Sequence, residues 1–474
     1  RFLIRMSERK MSLEMQKYIE ENFEREVLAP LKEFIKIPNV SRNYDPTWET
    51  NGLMDQACNF VIDFANKAGL EGFSVELIKE KGLTNAILGV VEKKDAPTAL
   101  LYGHIDKQPP LTDKWREGLH PYQPVVENGR LYGRGGADDG YAFFACVFIA
   151  KVLQKFGLQR HRMVFFFECD EESGSRDLVH YLNSKAAVIG DPAIMVCLDS
   201  GTVDYDHLSF TTSLRGLLNF QVSIDVSKEG VHSGSFGGVV PDSSMIMRDV
   251  LNQFQDAKSG RLIEELYVNI PKDKYEQACD LIDEIPNIDF TAPLLDGVSL
   301  VSSDKLQLYL NKNWRPSCTL TGFGGLPQPS HSGNVINTGT TYVFNIRLPP
   351  SLSDEEAHAA VKKYFTEFKV PYNAKLVFHS SISGSGLNCN AFSEKLKRLI
   401  REAALEHYGK VPLFTGEGGS IPFLNEFQKK FPQAEFLIAG VLGPESNAHG
   451  PNEFLDIDFL QKLIKSFVHI FSGF

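Results

Sequence analysis

The sequence predicts an α/β fold whose central sheet is mixed and mostly parallel, interrupted by an inserted α+β domain. Short apolar runs typical of buried strands occur at Thr98–Tyr102, Met163–Phe167 and Ala193–Cys197. Between the first two, residues 140–156 are apolar at helical spacing. Strands that alternate with helices in this way indicate a sheet with a parallel portion. A charged helical pattern precedes them and ends at Pro38, which removes a backbone donor.

A change of pattern near Thr212 indicates the inserted domain. Alternating strands at 218–224 and 341–347 are accompanied by a Gly/Pro/Ser-rich loop over 322–333 and a polar helix over 353–368. The earlier pattern of helices and strands resumes from Ala391. We therefore predict one α/β domain formed by residues 1–211 and 381–474, with residues 212–380 inserted between its two parts.

Composition and charge restrict the kinds of partner. The 474-residue chain has 49 Lys+Arg and 60 Asp+Glu, a formal net charge of −11. An acidic chain without Lys/Arg blocks is not expected to bind nucleic acid or an anionic membrane, because both need a basic surface. Its seven scattered cysteines include no CxxC pair, which fits reduced thiols in a cytoplasmic protein. Small molecules, cations and proteins remain as partners.

Three of the predicted strands run into residues that can bind metal. In an open α/β sheet the ligand crevice lies beyond the carboxyl ends of the strands, so these residues should meet there. A glycine-rich turn at 133–140 can bring another carboxylate to the same crevice. The residues concerned are His104 and Asp106, the pair Glu171 and Glu172, Asp199, and, in the turn, Asp138.

The donor types favour a pair of zinc or manganese ions. A histidine with several carboxylates suits these metals, whereas magnesium and calcium prefer oxygen alone. A single zinc site needs about three protein ligands, so a larger set favours two ions that share a bridging carboxylate. Each motif alone has a structural explanation: a histidine after a strand is often structural, and acidic pairs often cap helices. Their joint placement is what favours metal.

The order of these motifs resembles the di-zinc aminoacyl metallopeptidases, the family of cytosolic carnosinase, carboxypeptidase G and succinyl-diaminopimelate desuccinylase. The resemblance covers nearly the whole chain and is closest to the carnosinase-like dipeptidases. It rests on Gly103-His-Ile-Asp106, Gly133-Arg-Gly-Gly-Ala-Asp-Asp139, Glu171-Glu-Ser-Gly-Ser175, Leu198-Asp199, His232-Ser-Gly234, Arg347 and His449. The family fold, a catalytic α/β domain with a smaller inserted lid domain, agrees with the predicted domains.

The resemblance implies a role for each residue of the crevice. Asp138 would bridge two divalent ions. His104 and Asp199 would complete one ion's ligands, and Glu172 and His449 those of the other. Glu171 would act as the general base, and Asp106 would orient His104.

The resemblance also implies substrate-binding residues and a homodimer formed through the lid domain. His232, reaching from the lid of the partner subunit, would donate to the oxyanion, and Arg347 would hold the substrate carboxylate. Asn334, Gly419 and Ser420 would contact the substrate. Without the family, His232 is interpreted as a surface-loop histidine and Arg347 as an exposed arginine at a strand end.

Three positions depart from the family pattern. Lys107 follows His-x-Asp where many relatives have an apolar residue, which predicts a cation close to the crevice. Gly140 stands where relatives commonly have lysine, and Asn334 where carnosinase-like members often have threonine. None of the three removes a predicted ligand.

The leading hypothesis is a hydrolase: a zinc-dependent dipeptidase in which hydroxide between two zinc ions attacks the amide bond. An N-acyl amino acid deacylase or a succinyl-diaminopimelate desuccinylase is the alternative within the same chemistry. A metal-binding scaffold without catalysis is a third hypothesis, disfavoured because Glu171 is present. The sequence has no GxSxG, HExxH or P-loop motif that would indicate another enzyme class.

Overall fold

The structure is a computed structural model that describes residues 10–290, 292–379, 381–419 and 421–474. Numbered along the chain, the helices are α1 Leu13–Phe23, α2 Ala29–Ile35, α3 Leu53–Lys67, α4 Tyr141–Lys155, α5 Leu178–Ser184, α6 Ala186–Ile189, α7 Ser233–Phe236, α8 Ser243–Phe254, α9 Lys272–Glu284, α10 Lys305–Asn313, α11 Asp354–Glu367, α12 Glu394–His407, α13 Pro422–Lys430 and α14 Ile457–Gly473. In the described parts of the chain, none of these helices combines the length and apolar character needed to cross a membrane.

The strands, numbered in the same way, are β1 Phe73–Ile78, β2 Ala86–Val91, β3 Thr98–His104, β4 Val125–Glu127, β5 Arg130–Tyr132, β6 Arg162–Glu168, β7 Pro192–Cys197, β8 Ser209–Leu214, β9 Gly216–Asp225, β10 Val231–His232, β11 Ser317–Gly324, β12 Val335–Ile336, β13 Gly339–Leu348, β14 Lys375–Phe378, β15 Ile382–Gly384, β16 Leu387–Asn388, β17 Leu413–Glu417, β18 Glu435–Ile438 and β19 Phe454–Asp456.

The chain divides into two compact units. The first contains residues up to Thr211 together with 389–415 and 426–474, and the second contains residues 212–388 and 416–425. Residues 382–384, in β15, pair with β9 of the second unit.

The sheet of the first unit has the strand order β1-β2-β6-β3-β7-β18, followed by β8. Strand β3 lies parallel to both of its neighbours, β6 and β7, and β18 is parallel to β7. The pairs β1-β2 and β2-β6 are antiparallel. The predicted mixed sheet is confirmed, and it is parallel in part, over β6-β3-β7-β18. Its consequence for the site is that the carboxyl ends of β3, β6 and β7 lie side by side.

Apolar helices bury this sheet. Helix α4 is buried on almost every side, which is why its sequence is apolar at nearly every position. Its Phe144 ring meets the rings of Phe34, Phe60 and Phe64 edge-on, with 5.0 Å between the Phe64 and Phe144 centroids. Such edge-to-face contacts are favourable for aromatic pairs. Helix α4 therefore fixes the turn that precedes it, which carries Asp138.

The second unit is an antiparallel sheet with helices of its own. Its strand order is β11-β13-β9-β14, with β15 also paired to β9. Phe220 of β9 and Phe344 of β13 stack at 4.7 Å in its core. The loop predicted from Gly322 begins later, because β11 continues to Gly324 through a bulge between Leu320 and Gly322. The predicted helix over 353–368 is α11, which begins with a capping box at Ser353.

Gly140 joins the glycine-rich turn to α4 in a place that leaves no room for a side chain. A methyl group there would meet the ring of Phe34 and come within 2.5 Å of the Gly135 carbonyl oxygen. We expect Gly140→Ala to lower the free energy of unfolding by about 1–3 kcal/mol, because an overpacked core must shift to admit the extra group. Urea denaturation measures the change.

The matched control for this prediction is Gly333→Ala. A methyl group at Gly333 would meet nothing within 4 Å, so we expect a change of less than about 0.5 kcal/mol. Equal stability of the two variants would contradict the packing argument.

Candidate metal centre

The side-by-side strand ends of the first unit bring the predicted metal-binding residues together. A ring nitrogen of His104 and carboxylate oxygens of Glu171 and Asp199 lie within 4.8 Å of one another. A second group with the same spacing consists of His104, Asp138 and Glu172. The two groups share His104, so they form one continuous cluster of donor atoms.

His104 is fully buried, and its hydrogen bonds fix which nitrogen faces the cluster. Its Nδ1 lies 2.9 Å from the Asp106 carbonyl oxygen, which can only accept, so Nδ1 donates. Its Nε2 lies 3.2 Å from Asp138 Oδ1 and 3.8 Å from Asp199 Oδ1. Burial opposes a charge on His104, but Asp199 and the hydrogen bonds to Asp106 and Asp138 raise its pKa well above the usual value. A bound cation would take the place of the proton that this environment favours on Nε2.

Asp106 supports two parts of the site at once. Its backbone carbonyl orients His104, and its carboxylate lies 3.4 Å from His104 Nδ1. The same carboxylate accepts hydrogen bonds from the backbone N–H groups of Glu171 at 3.2 Å and Glu172 at 3.1 Å. Asp106 therefore holds the turn that carries both glutamates in place beside the histidine.

Asp138 lies between two histidines. Its Oδ1 is 3.2 Å from His104 Nε2, and its Oδ2 is 3.0 Å from His449 Nε2. His449 Nε2 is also 3.3 Å from Glu172 Oε2, which accepts a hydrogen bond from Gln108. Each oxygen of one carboxylate thus faces a different histidine, the arrangement that a carboxylate shared by two ions needs.

The carboxylates of the cluster outnumber the two histidines that could balance their negative charge. Burial, followed by the charge of Asp199, raises the pKa of Glu171 well above the usual value. Burial and Asp138 do the same to Glu172. Burial also raises the pKa of Asp199 to about 7, against the opposing effect of His104. Glu172 Oε1 has no hydrogen-bond partner among the described residues. Buried imidazole and carboxylate donors of this kind fit divalent cations.

Lys107 is not the cation beside the crevice that the sequence predicted. Its Nζ donates to the backbone carbonyls of Phe34 at 2.9 Å, Ile35 at 3.3 Å and Ile37 at 2.7 Å. Phe34 and Ile35 end α2 and Ile37 follows it closely, at the place where a helix leaves carbonyl acceptors without intrahelical partners. Lys107 therefore caps α2, and the prediction was wrong because sequence spacing does not show where a long side chain ends.

A buried ion pair that the sequence analysis missed joins the segments carrying Asp138 and His449. Arg134 and Glu453 are almost completely buried and lie 2.5 Å apart. The Glu453 carboxylate also accepts from the backbone N–H groups of Gly135, Ala137 and Asp138 at 3.1–3.2 Å. Arg134 Nη2 donates to the Gly450 carbonyl at 2.6 Å. The pair links residues more than 300 positions apart, so only the fold reveals it.

The second unit contains the predicted substrate residues, with one exception. His232 in β10 pairs with Val335 in β12, and Asn334 immediately precedes that strand. The His232 Nδ1 accepts a hydrogen bond from Gly234 N–H at 3.1 Å, so its proton is on Nε2. Arg347 lies in β13, opposite Leu217 of β9. Ser420 lies outside the described residues.

Arg215 is a further arginine of the second unit that the sequence analysis did not select. Its Nε donates to the Gly418 carbonyl at 3.2 Å, next to the predicted substrate residue Gly419. Burial and the charge of Arg347 lower its pKa to about 10. Two arginines therefore lie close enough in this unit to repel each other.

Comparison with known proteins identifies the family. The sequence model of one family, Peptidase family M20/M25/M40, matches residues 100–472 of this chain. The chain belongs to this family. It is an enzyme that acts on peptide bonds, and the residues of its crevice fit the divalent metal ions that the family implies.

Similar proteins span most of the chain. The cysteinylglycine-S-conjugate dipeptidase of Corynebacterium striatum is 28% identical over 82% of this chain and 84% of its own. The Cys-Gly metallodipeptidase dug1 of Schizosaccharomyces pombe is 26% identical over 97% of each chain. An M20 metallo-carboxypeptidase from Sulfolobus solfataricus shares the fold, with a TM-score of 0.74 and 22% identity over 95% of this chain and 99% of that one.

We expect Glu453→Gln to weaken zinc binding by about 10- to 100-fold, the usual effect of losing a residue that supports metal ligands. The substitution removes the charge that pairs with Arg134 and holds the Asp138 turn. Competition with a chromophoric chelator measures the affinity. Glu445→Gln is the matched control. Glu445 is 81% exposed, and its ion pair with Arg130 is long, at 4.0 Å, so its loss should matter little. Equal affinities in the two variants would contradict the linking role.

Metal binding by this centre should weaken as the pH falls below about 7. A carboxyl group must lose its proton before it binds a cation, and the pKa of Asp199 is raised to about 7. Below that pH the ion that binds Asp199 must displace its proton, so this residue alone lowers the affinity by up to about tenfold per pH unit. Above that pH Asp199 is already ionised and adds no further loss, so only groups such as His104, whose pKa is raised well above its usual value, still hold a proton against the cation.

Calorimetric titration with zinc in two buffers of different ionisation enthalpy measures both the affinity and the number of protons released. A constant affinity between about pH 6 and pH 8, without proton release, would contradict the prediction.

Proposed function

We propose that this peptidase is a dipeptidase that uses two zinc ions, with manganese as the alternative metal. The observation that carries the proposal is the position of Asp138 between His104 Nε2 and His449 Nε2, at 3.2 and 3.0 Å. Asp199 would complete the ligands of the ion at His104, and Glu172 those of the ion at His449. The first unit would be the catalytic domain, and the second the lid.

Glu171 is the proposed general base. Divalent ions held by these residues would lower the pKa of a bound water molecule and polarise the peptide carbonyl. Glu171 is suited to take the proton of that water. Asp106 holds its backbone N–H, and one of its carboxylate oxygens lies in the group formed with His104 and Asp199. Its raised pKa supports the return of the proton to the leaving amine.

His232 is the proposed donor to the oxyanion. The Gly234 N–H holds its Nδ1 as an acceptor, so Nε2–H is available as a donor. A donor fixed before the reaction stabilises developing charge without reorganisation. We propose, from the family resemblance, that His232 serves the active site of the partner subunit in a homodimer.

Arg347 is the proposed partner of the substrate carboxylate, with Asn334, Gly419 and Ser420 around the same end of the substrate. A guanidinium group matches a carboxylate with two parallel hydrogen bonds, which lysine cannot supply. The names of two similar proteins, dipeptidases that act on Cys-Gly and on cysteinylglycine S-conjugates, support a dipeptide with a small C-terminal residue. We propose a cytoplasmic location.

The test compares wild type with Glu171→Gln on Cys-Gly and other dipeptides. We expect the variant to keep about two metal ions per chain and to lose about 10²- to 10⁴-fold in kcat, the usual contribution of a general base. Elemental analysis and steady-state kinetics measure the two quantities. Retained turnover in a metal-loaded variant would remove Glu171 from this role.

Glu168→Gln is the matched control. Glu168 is buried three residues earlier, and burial raises its pKa to about 8, so its carboxyl is largely neutral at pH 7. Glutamine resembles that neutral form, and activity should persist. If the wild-type enzyme hydrolyses N-acyl amino acids but no dipeptide, a deacylase would be the better assignment than a dipeptidase. Metal binding without hydrolysis of either class would favour a scaffold.

A further inference from the structure

A single arginine joins the two ends of the segment that carries both glutamates of the metal centre. Arg42 Nη2 donates to Asp170 Oδ2 at 2.7 Å, and Arg42 Nη1 donates to Asp177 Oδ2 at 2.8 Å. The three side chains are 11%, 0% and 10% exposed, in that order. Hydrogen bonds between charged partners are about twice as strong as neutral ones, and burial strengthens them further. The guanidinium group of Arg42 therefore fixes Asp170 and Asp177 relative to each other.

The turn between these two aspartates closes on Asp170. The Asp170 carbonyl accepts a hydrogen bond from the Ser175 backbone N–H at 2.8 Å. Glu171 and Glu172 lie inside this turn, directly after Asp170. At the other end, Asp177 is followed at once by α5. A shift of Asp170 would therefore move both glutamates.

The chain neighbours of Arg42 attach it to the rest of the site. Ser41 N–H donates to the Lys107 carbonyl at 2.9 Å, and Ser41 Oγ lies 2.5 Å from Ser173 Oγ in the turn of the glutamates. The Asn43 N–H donates to the same Ser173 oxygen at 2.9 Å. The backbone on either side of Arg42 therefore cannot move away from this turn without breaking these bonds.

Arg42 is the closest positive partner of Asp170 among the described residues. Arg176 Nε lies 3.9 Å from the same oxygen and its side chain is 52% exposed, so it contributes little. Asp170 Oδ1 has no hydrogen-bond partner in the described parts of the chain. A buried carboxylate with so few partners depends on its one short ion pair. Lysine would keep the positive charge at residue 42, but its single ammonium group does not reproduce a contact made by two arms of a planar fork.

We propose that Arg42 is a positioning residue for peptide hydrolysis, which holds Glu171 at the place where a general base must act. This inference rests on the proposed role of Glu171. Asp106 holds the backbone N–H groups of the two glutamates, whereas Arg42 holds Asp170, the residue that precedes them. A displacement of about 1 Å at a reacting group costs about 10²-fold in rate, so loss of the Arg42 support should lower turnover.

Arg42→Lys tests the proposal at saturating zinc, with a dipeptide that the wild-type enzyme hydrolyses. We expect kcat to fall by about 10- to 100-fold. We expect KM to change by less than about threefold, because Arg42 is not among the residues proposed to bind the substrate. Steady-state kinetics separates the two constants, and elemental analysis measures the zinc that the variant holds. Wild-type kcat in the zinc-saturated variant would overturn the proposal.

A double-mutant cycle shows whether Arg42 acts through Glu171. If it does, Arg42→Lys should lower kcat by less than about threefold in a chain that already carries Glu171→Gln, because residues that act as one unit are not additive. Equal fold-changes in the two backgrounds would overturn the proposal.

The same four chains separate this proposal from the proposed base. Retained turnover in Glu171→Gln alone would overturn the base, and the positioning role with it. A slow Glu171→Gln variant beside an unimpaired Arg42→Lys variant would overturn the positioning role alone.

Arg176→Lys is the matched control. Arg176 faces the same Asp170 oxygen from an exposed position and a longer distance, so kcat should stay within about twofold of wild type. Asp170→Asn tests the proposal if Arg42→Lys does not fold, because asparagine keeps the side-chain volume and removes the ion pair from the other side. We expect the same fall in kcat. Wild-type kcat in Asp170→Asn would overturn the proposal.

Discussion

The repulsion among buried carboxylates at the carboxyl edge of the parallel strands is the constraint on which the first unit depends. Asp138, Glu171, Glu172 and Asp199 are drawn from separate segments into a space with two histidines. Ionised carboxylates that are buried together are unstable without cations or protons, which is why the pKa values of three of them are raised. The surrounding structure has to hold these groups together against that repulsion.

Backbone hydrogen bonds, together with a buried ion pair outside the donor cluster, hold the carboxylates in place. Asp106 holds the Glu171–Glu172 turn by two N–H groups, and Glu453 holds the Asp138 turn by three. Gly103 belongs to the same arrangement, because a methyl group there would come within 2.6 Å of Asp139 Oδ2. These supports act on backbone N–H groups, which cannot bind a cation, so they take no donor atom away from the cluster.

The sequence predicted the parallel strands and the residues at their ends because both depend on local patterns. It could not predict contacts between distant segments. Only the fold shows three of these contacts: the carbonyls that the Lys107 ammonium group binds, the Arg134–Glu453 ion pair, and the hydrogen bond from His104 to the Asp106 carbonyl. Two departures from the family, at Lys107 and Gly140, meet at one place: Lys107 binds the Phe34 carbonyl, and Gly140 makes room for the Phe34 ring. In the sequence these two departures look independent, but in the structure both contact Phe34 at the end of α2.

Two buried histidines of the first unit, His104 and His469, differ in what fixes the ring. A neutral carbonyl accepts the Nδ1 proton of His104, whereas the carboxylate of Glu406 accepts that of His469. A carboxylate makes the opposite nitrogen a stronger donor and strengthens metal binding. A carbonyl adds no further negative charge to a cluster already crowded with carboxylates. His104 therefore keeps a fixed ring orientation, while the negative charge that a bound cation would balance stays on the carboxylates of the cluster.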